Sequence, residues 1–278
     1  MLRQRVITGV ILAGAFLAAV LFLPLEVVAV IFGAVSAAGA WEWSGLSGMK
    51  TAVGRALYTL LYMVFLVTLW SVFAPGESPS PDIFQPWLGI ACFFWSVVML
   101  MVESYPGTAW VWRTQISRAF AGLFILATTW LSTIFLLTLS SGTWLLVLLV
   151  LAVAVADIAA YFAGRRWGRH KLAVRVSPGK TWEGFWGGVS SVVALSLIIA
   201  YVLPNHMAHL SVITLVLMGL AVAGASVLGD LTVSMVKRES GVKDSGKLLP
   251  GHGGLLDRID GLCAAAPVFA LGLLLAGY

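Results

Sequence analysis

The chain has 278 residues, 60% of them hydrophobic and 10% charged, with a formal net charge of +5 at pH 7, and its mean hydropathy is +0.98. Apolar runs of about 20 residues recur from end to end, the length a helix needs to cross a hydrocarbon core of about 30 Å, and in lipid each run must satisfy its own backbone hydrogen bonds. A soluble enzyme is excluded. So is a nucleic-acid partner, because the basic residues lie in short loops between hydrophobic runs; membrane lipids and phosphorylated small molecules fit them better.

The expected class is all-α, a single polytopic integral membrane domain over 1–278. Arg3 and Arg5 precede an apolar run over 6–23, and the run lacks a cleavage site of small residues, so it reads as a retained first helix. Pro24 and Glu26 separate it from a second run that reaches about residue 43. A third span covers 56–73, and the turn-rich PGESPSPD stretch (75–82) cannot continue it. The fourth is 87–102. A polar connector over 103–118 then carries Trp110 and Trp112, whose rings suit the interface. The remaining spans are expected at 119–139, 144–162, 184–203, 210–228 and 259–277, making nine in all. Residues 1–139 form an N-terminal helical half and 144–278 the half that carries the chemistry.

Charge placement gives an orientation. With a cytoplasmic N-terminus, the inside connectors are 44–55, 103–118, 163–183 and 229–258; together with Arg3 and Arg5 they hold all 17 Lys and Arg residues. The outside connectors hold none, as the positive-inside rule demands. The C-terminus is then expected outside, and the two richest loops share the cytoplasmic face. His170, His206 and His209 read as loop residues without a role. Cys92 and Cys263 lie in apolar runs without metal or redox spacing and read as small buried hydrophobes.

The loop over 163–183 carries six basic residues, which topology or lipid headgroups would explain equally well. The carboxylates say more. Asp157 falls inside the sixth span and Asp230 at the inner end of the eighth, where an unpaired carboxylate is costly. Asp257 follows Asp230 by 27 positions across a hairpin. Convergent carboxylates beneath a basic loop suit Mg²⁺ completed by substrate phosphate; the alternative pairs each Asp with Lys237 or Arg258. Gly253 and Gly254 beside His252 offer backbone N–H groups that could approach a phosphate. The segment Ser177-Pro178-Gly179-Lys180-Thr181 has similar chemistry ahead of a helix N-terminus, although its spacing is not that of a Walker A loop. Glu42, in AWEW, is either a partner for a basic loop residue or a support for the site.

The arrangement Ser234, Lys237-Arg238, Lys243-Asp244, Gly246, Leu249-Pro250, His252-Gly253-Gly254, Leu255 and Asp257-Arg258-Ile259-Asp260 resembles the signature of the phosphatidate cytidylyltransferases, or CDP-diacylglycerol synthases. The segments 157–168 and 177–184 are also similar to bacterial members, so the likeness covers roughly the C-terminal half. It implies a Mg²⁺-dependent reaction of CTP with phosphatidic acid to give CDP-diacylglycerol and pyrophosphate. A second, monovalent cation and a homodimer are further expectations from the resemblance, as is an inner-membrane location.

On that resemblance, Asp230 and Asp257 are expected to hold the metal, with Asp260 and Asp244 as supporting or alternate ligands and Asp157 as a further candidate. Lys237, Arg238, Lys243 and Arg258 are expected to hold the CTP phosphates, and Lys180 with Ser177 the lipid phosphate or pyrophosphate. Ser234, Gly253 and Gly254 complete the substrate site. His252 is expected to donate a hydrogen bond rather than act as a base, because a phosphate monoester has its second pKa at about 6. The acyl-chain groove is expected near the sixth to eighth spans. Two other classes fit intramembrane carboxylates: an ion-coupled transporter, and a related transferase using another lipid phosphate or a polyprenol.

Overall fold

In a computed structural model, residues 2–73, 81–202, 210–246, 248 and 253–277 are described. The hydrophobic runs become helices α1 (Leu2–Phe22), α2 (Leu25–Leu46), α3 (Ala52–Phe73), α4 (Pro81–Glu103), α5 (Ala109–Arg113), α6 (Gln115–Thr138) and α7 (Gly142–Trp167). Strands β1 (Lys171–Ala173) and β2 (Ser177–Thr181) follow, then α8 (Trp182–Val202), α9 (Val212–Glu239) and α10 (Leu256–Leu275). Among the described residues, eight helices are long and apolar enough to cross a membrane. The protein is thus an all-α polytopic membrane protein. The first expected span corresponds to α1, a helix of 21 residues.

Helix α6 is the most enclosed span and packs against α2, α3, α4, α7 and α10. Its junction with α2 is fastened by the Trp43 indole N–H, which donates to the Arg118 carbonyl at 2.7 Å. Higher in the same pair, the Trp130 indole N–H donates to the Ala29 carbonyl at 3.0 Å. Lipid offers an indole N–H no acceptor, so these two carbonyls satisfy donors that would otherwise be stranded. The most extensive packing joins α9 to α10 and α7 to α8, with α8 against α9 closing the C-terminal half. Cys263 is buried and Cys92 half-buried, and neither is in a disulfide.

Two local structures depart from the sequence expectation. Helix α9 does not stop near residue 228 but runs on through Ser234, Lys237 and Arg238 to Glu239. It ends where the Gly241 N–H donates to the Arg238 carbonyl and the Val242 N–H to the Lys237 carbonyl, the paired bonds by which a glycine just past a helix satisfies its last carbonyls. The first part of the polar signature, 234–239, is therefore helical. The second departure is the SPGKT segment, which leads into helix α8 as expected but is strand β2 rather than a loop. It pairs antiparallel with β1, Lys171 opposite Thr181 and Ala173 opposite Ser177. The start of α8 is satisfied internally: the Thr181 hydroxyl accepts the Gly184 N–H at 3.2 Å.

Candidate active site at the crossing of α9 and α10

The site forms where the last turns of α9 meet the first turns of α10. Their backbones touch there, since a Cβ on Gly229 would collide with the Asp260 carbonyl. Side chains spaced three and four apart share a helix face, so α9 presents Asp230, Ser234 and Lys237 together and α10 presents Asp257 with Asp260. The hairpin contributes Lys180 from β2.

Two ion pairs organise the face. Lys180 Nζ lies 2.6 Å from Asp230 Oδ2, and Lys237 Nζ lies 2.7 Å from Asp257 Oδ1. The Ser234 hydroxyl donates to Asp230 Oδ1 at 3.1 Å. Asp257 Oδ2 accepts two backbone N–H groups, from Ser245 and Gly254, each at 3.1 Å. Asp260 accepts the Gly261 N–H at 2.9 Å and feels both the charge of Asp230 and those of the two lysines. Asp157 on α7 interacts with Lys180 and Asp230. Asp157 and Asp230 therefore share Lys180, Lys237 is engaged by Asp257, and Asp260 lies within reach of both lysines.

Asp157, Asp230, Asp257, Asp260, Lys180, Lys237 and Ser234 converge. Asp244 lies beside Gly253, close to Asp257. Arg238 turns to the hairpin, its Nε–H donating to the Val176 carbonyl at 3.1 Å, and so ties β1–β2 to α9. Lys243 and Arg258 are exposed, and Ser177 is half-buried at the start of β2. His252, His206 and His209 lie outside the described residues. His170 bonds Glu183 at 2.7 Å through Nδ1, a contact that closes the hairpin and that its reading as a loop residue missed.

Glu42 is only 4% exposed and bonds to the loop between α9 and α10 rather than to a basic side chain of it: it accepts the Ser245 hydroxyl at 2.9 Å and the Leu255 and Leu256 N–H groups at 3.0 Å each. On the flank of α9 away from the carboxylates, Tyr105 donates to Glu239 at 2.8 Å. Burial, and then the Glu239 bond, raise the Tyr105 phenol above its ordinary pKa, so it stays a donor.

A cavity of about 870 Å³ opens beside the site. Its walls come from α4, α9 and α10, with Trp95, Gly224, Leu228 and Leu271 among them, and its roof is the hairpin residues 172–176. The same strand pair continues into Ser177 and Lys180. A separate, narrower apolar gap of about 50 Å³ lies among α7, α8, α9 and α10, where the groove was expected from the sequence. The larger space shares α9 with that region and touches the start of α8 through Trp182 and Phe185, but opens toward α4.

Among the described residues, no group of three or more His, Cys, Asp or Glu side chains is arranged to hold a metal ion. The donors that do converge are all hard carboxylate oxygens.

The chain matches the cytidylyltransferase family over residues 3–276. It belongs to that family. A protein of Pseudomonas aeruginosa named phosphatidate cytidylyltransferase is 39% identical, the alignment covering 100% of this chain and 99% of the relative. One of the same name from Haemophilus influenzae is 36% identical over 97% of this chain and 98% of its own length. A third, from Thermotoga maritima, is 34% identical over 96% and 94% respectively. The family relationship thus reaches the N-terminal helices, beyond the C-terminal half that carries the motifs.

Proposed function

We propose that this family member is a phosphatidate cytidylyltransferase: it joins CTP to phosphatidic acid, giving CDP-diacylglycerol and pyrophosphate. The observation that carries the reading is the adjacency of a carboxylate and lysine cluster to an apolar cavity at membrane depth. One substrate is a soluble triphosphate and the other a lipid phosphate, and the two kinds of surface meet at the hairpin. A phosphate oxygen of the lipid attacks the α-phosphorus of CTP in line. The new P–O–P bond forms as the bond from the α-phosphorus to the bridging oxygen breaks, and pyrophosphate departs. Little covalent chemistry falls to the protein; positioning and charge neutralisation carry the rate.

Mg²⁺ belongs to this proposal. The clustered hard oxygens suit it, and Mg²⁺ is commonly held by one or two carboxylates with substrate phosphates completing its shell, so three converging side chains are not required. Asp230 and Asp257 would hold it, with Asp260, Asp244 or Asp157 in support. Bound there, it would neutralise phosphate charge. Lys180 and Lys237, now on Asp230 and Asp257, are placed to turn to phosphate oxygens when substrates arrive. Lys243, Arg238 and Arg258 are assigned to the CTP phosphates on the sequence resemblance.

The cavity between α4, α9 and α10 takes an acyl chain of the lipid, and the hairpin holds its phosphate at the rim through Lys180. The active face is cytoplasmic on this reading, which the placement of Lys and Arg in the loops supports, and the inner membrane is part of the proposal on the sequence resemblance. A homodimer remains part of the proposal on the sequence resemblance.

The deciding experiment is pyrophosphate release by purified protein in detergent with CTP, phosphatidic acid and Mg²⁺, beside Asp257→Asn. Release that needs both substrates and disappears in the variant supports the reading. No release from well-folded protein, across several nucleotides and lipid acceptors, sinks it.

A further inference from the structure

Glu42 sits on α2, in the half of the chain without the polar signature, yet its carboxylate is enclosed by that signature. Oε2 accepts the Ser245 hydroxyl at 2.9 Å and the Leu256 N–H at 3.0 Å, and Oε1 accepts the Leu255 N–H at 3.0 Å. Two glycines make room for it. A Cβ on Gly246 would collide with Oε1, and one on Gly254 would lie 2.5 Å from Oε2 and collide with the Ser245 hydroxyl. The signature glycines at these positions are therefore explained by the close approach of a carboxylate from another helix. Nothing in the spacing of the motif itself requires them.

The same two loop ends are gripped from the other side by Asp257, which accepts the Ser245 and Gly254 N–H groups. Ser245 is held twice, by its hydroxyl to Glu42 and by its N–H to Asp257. The N-terminus of α10 is also held twice, at Gly254 by Asp257 and at Leu255 and Leu256 by Glu42. A charged acceptor makes these bonds stronger than neutral ones, and a carboxylate at a helix N-terminus gains from the aligned peptide dipoles.

We propose that Glu42 is a positioning residue for the cytidylyl transfer. By closing Ser245 and Gly246 onto Gly254 and Leu256, it sets the orientation of Asp257 and of the Lys237 paired with it at the substrate site. The inference rests on the cytidylyltransferase reading for its kinetic part and on geometry alone for its structural part.

The test uses full-length Glu42→Gln, Glu42→Asp and Ser245→Ala in lipid nanodiscs. Amide hydrogen exchange is read over 243–257 and over α6, alongside kcat and KM for each substrate. Glu42→Gln aims an amide N–H at backbone N–H groups. It is expected to speed exchange at Ser245 and 254–256 while leaving α6 protected, as local opening does. It should also lower kcat by about a hundredfold, the scale of an ångström-size misplacement, with KM for phosphatidic acid unchanged. Glu42→Asp restores part of kcat by keeping the charge, and Ser245→Ala gives a milder version of the same pattern.

Wild-type kcat and loop exchange in Glu42→Gln overturn the proposal. So does exchange that rises equally in α6 and the loop, which would make Glu42 a general packing residue. If wild-type protein releases no pyrophosphate, the functional reading fails, and the exchange data alone still decide whether Glu42 clamps the loop.

Discussion

Lys237 Nζ donates to Asp257 Oδ1 at 2.7 Å and so joins the last turn of α9 to the first turn of α10. The two side chains are only 11% and 12% exposed. Removing one partner of a pair this enclosed strands the other charge, which costs about 3–5 kcal/mol where burial is complete. Lys237→Met is therefore expected to lose both activity and thermal stability. Lys237→Met with Asp257→Asn should regain much of the melting temperature and none of the turnover. Melting curves run beside pyrophosphate assays check both halves; a single variant as stable as wild type would show that the pair does not hold the helices together.

Lys180 and Asp230 make an equally short contact, 2.6 Å, but with side chains 23% and 32% exposed. Solvent screens such a pair, and its worth to stability is about 1 kcal/mol or less. Lys180→Ala is accordingly expected to melt near wild type while turnover falls by about a hundredfold, because the role proposed for Lys180 is on substrate phosphate. A loss of fold comparable to that of Lys237→Met would contradict this separation.

The spans were legible in the sequence because a hydrophobic run of sufficient length has few alternatives in a bilayer. What was not legible follows from two physical facts. Hydropathy marks where a helix leaves the apolar core, not where its hydrogen bonding stops, so the polar extension of α9 through Lys237 and Arg238 read as loop. The paired bonds after Ser240 were signalled only by Gly241. Likewise, Ser177 to Thr181 carries phosphate-loop composition, and only the register against Lys171 and Ala173 shows that it is a strand. The convergence of Asp230 and Asp257 was anticipated from their spacing across a hairpin, whereas Asp260 was expected there only on the family resemblance. Glu42 could not be assigned, since its partner Ser245 is 203 residues away.

Gly253 and Gly254 are adjacent but constrained differently, which separates their variants. Gly253 has φ +84 and its Cβ position is 3.1 Å from Asp257 Oδ2; an alanine there costs about 1–2 kcal/mol in backbone conformation. Gly254→Ala would drive a methyl into the Ser245 hydroxyl and the Glu42 carboxylate, so both carboxylate clamps must open. We expect Gly254→Ala to be the more damaging to turnover. Gly253→Ala should retain measurable activity with a lower melting temperature. The reverse order in side-by-side assays would mean that the backbone turn, rather than the approach of Glu42, governs the loop.

The cavity beneath the hairpin offers a test that leaves the carboxylates untouched. Gly224 lines it, and a Cβ there meets nothing within 4 Å, so a larger side chain enters the space without displacing a helix. Gly224→Phe is expected to raise KM for long-chain phosphatidic acid by about tenfold, the effect of losing roughly 1.4 kcal/mol of apolar contact, and to leave KM for CTP as it is. Cys92 lines the same space whereas Cys263 is fully buried, so a membrane-permeant maleimide should label Cys92 alone. Phosphatidic acid should slow that labelling and CTP should not. Unchanged lipid kinetics in Gly224→Phe, with labelling indifferent to lipid, would place the acyl chain elsewhere, the narrower gap among α7, α8, α9 and α10 being the next region to fill.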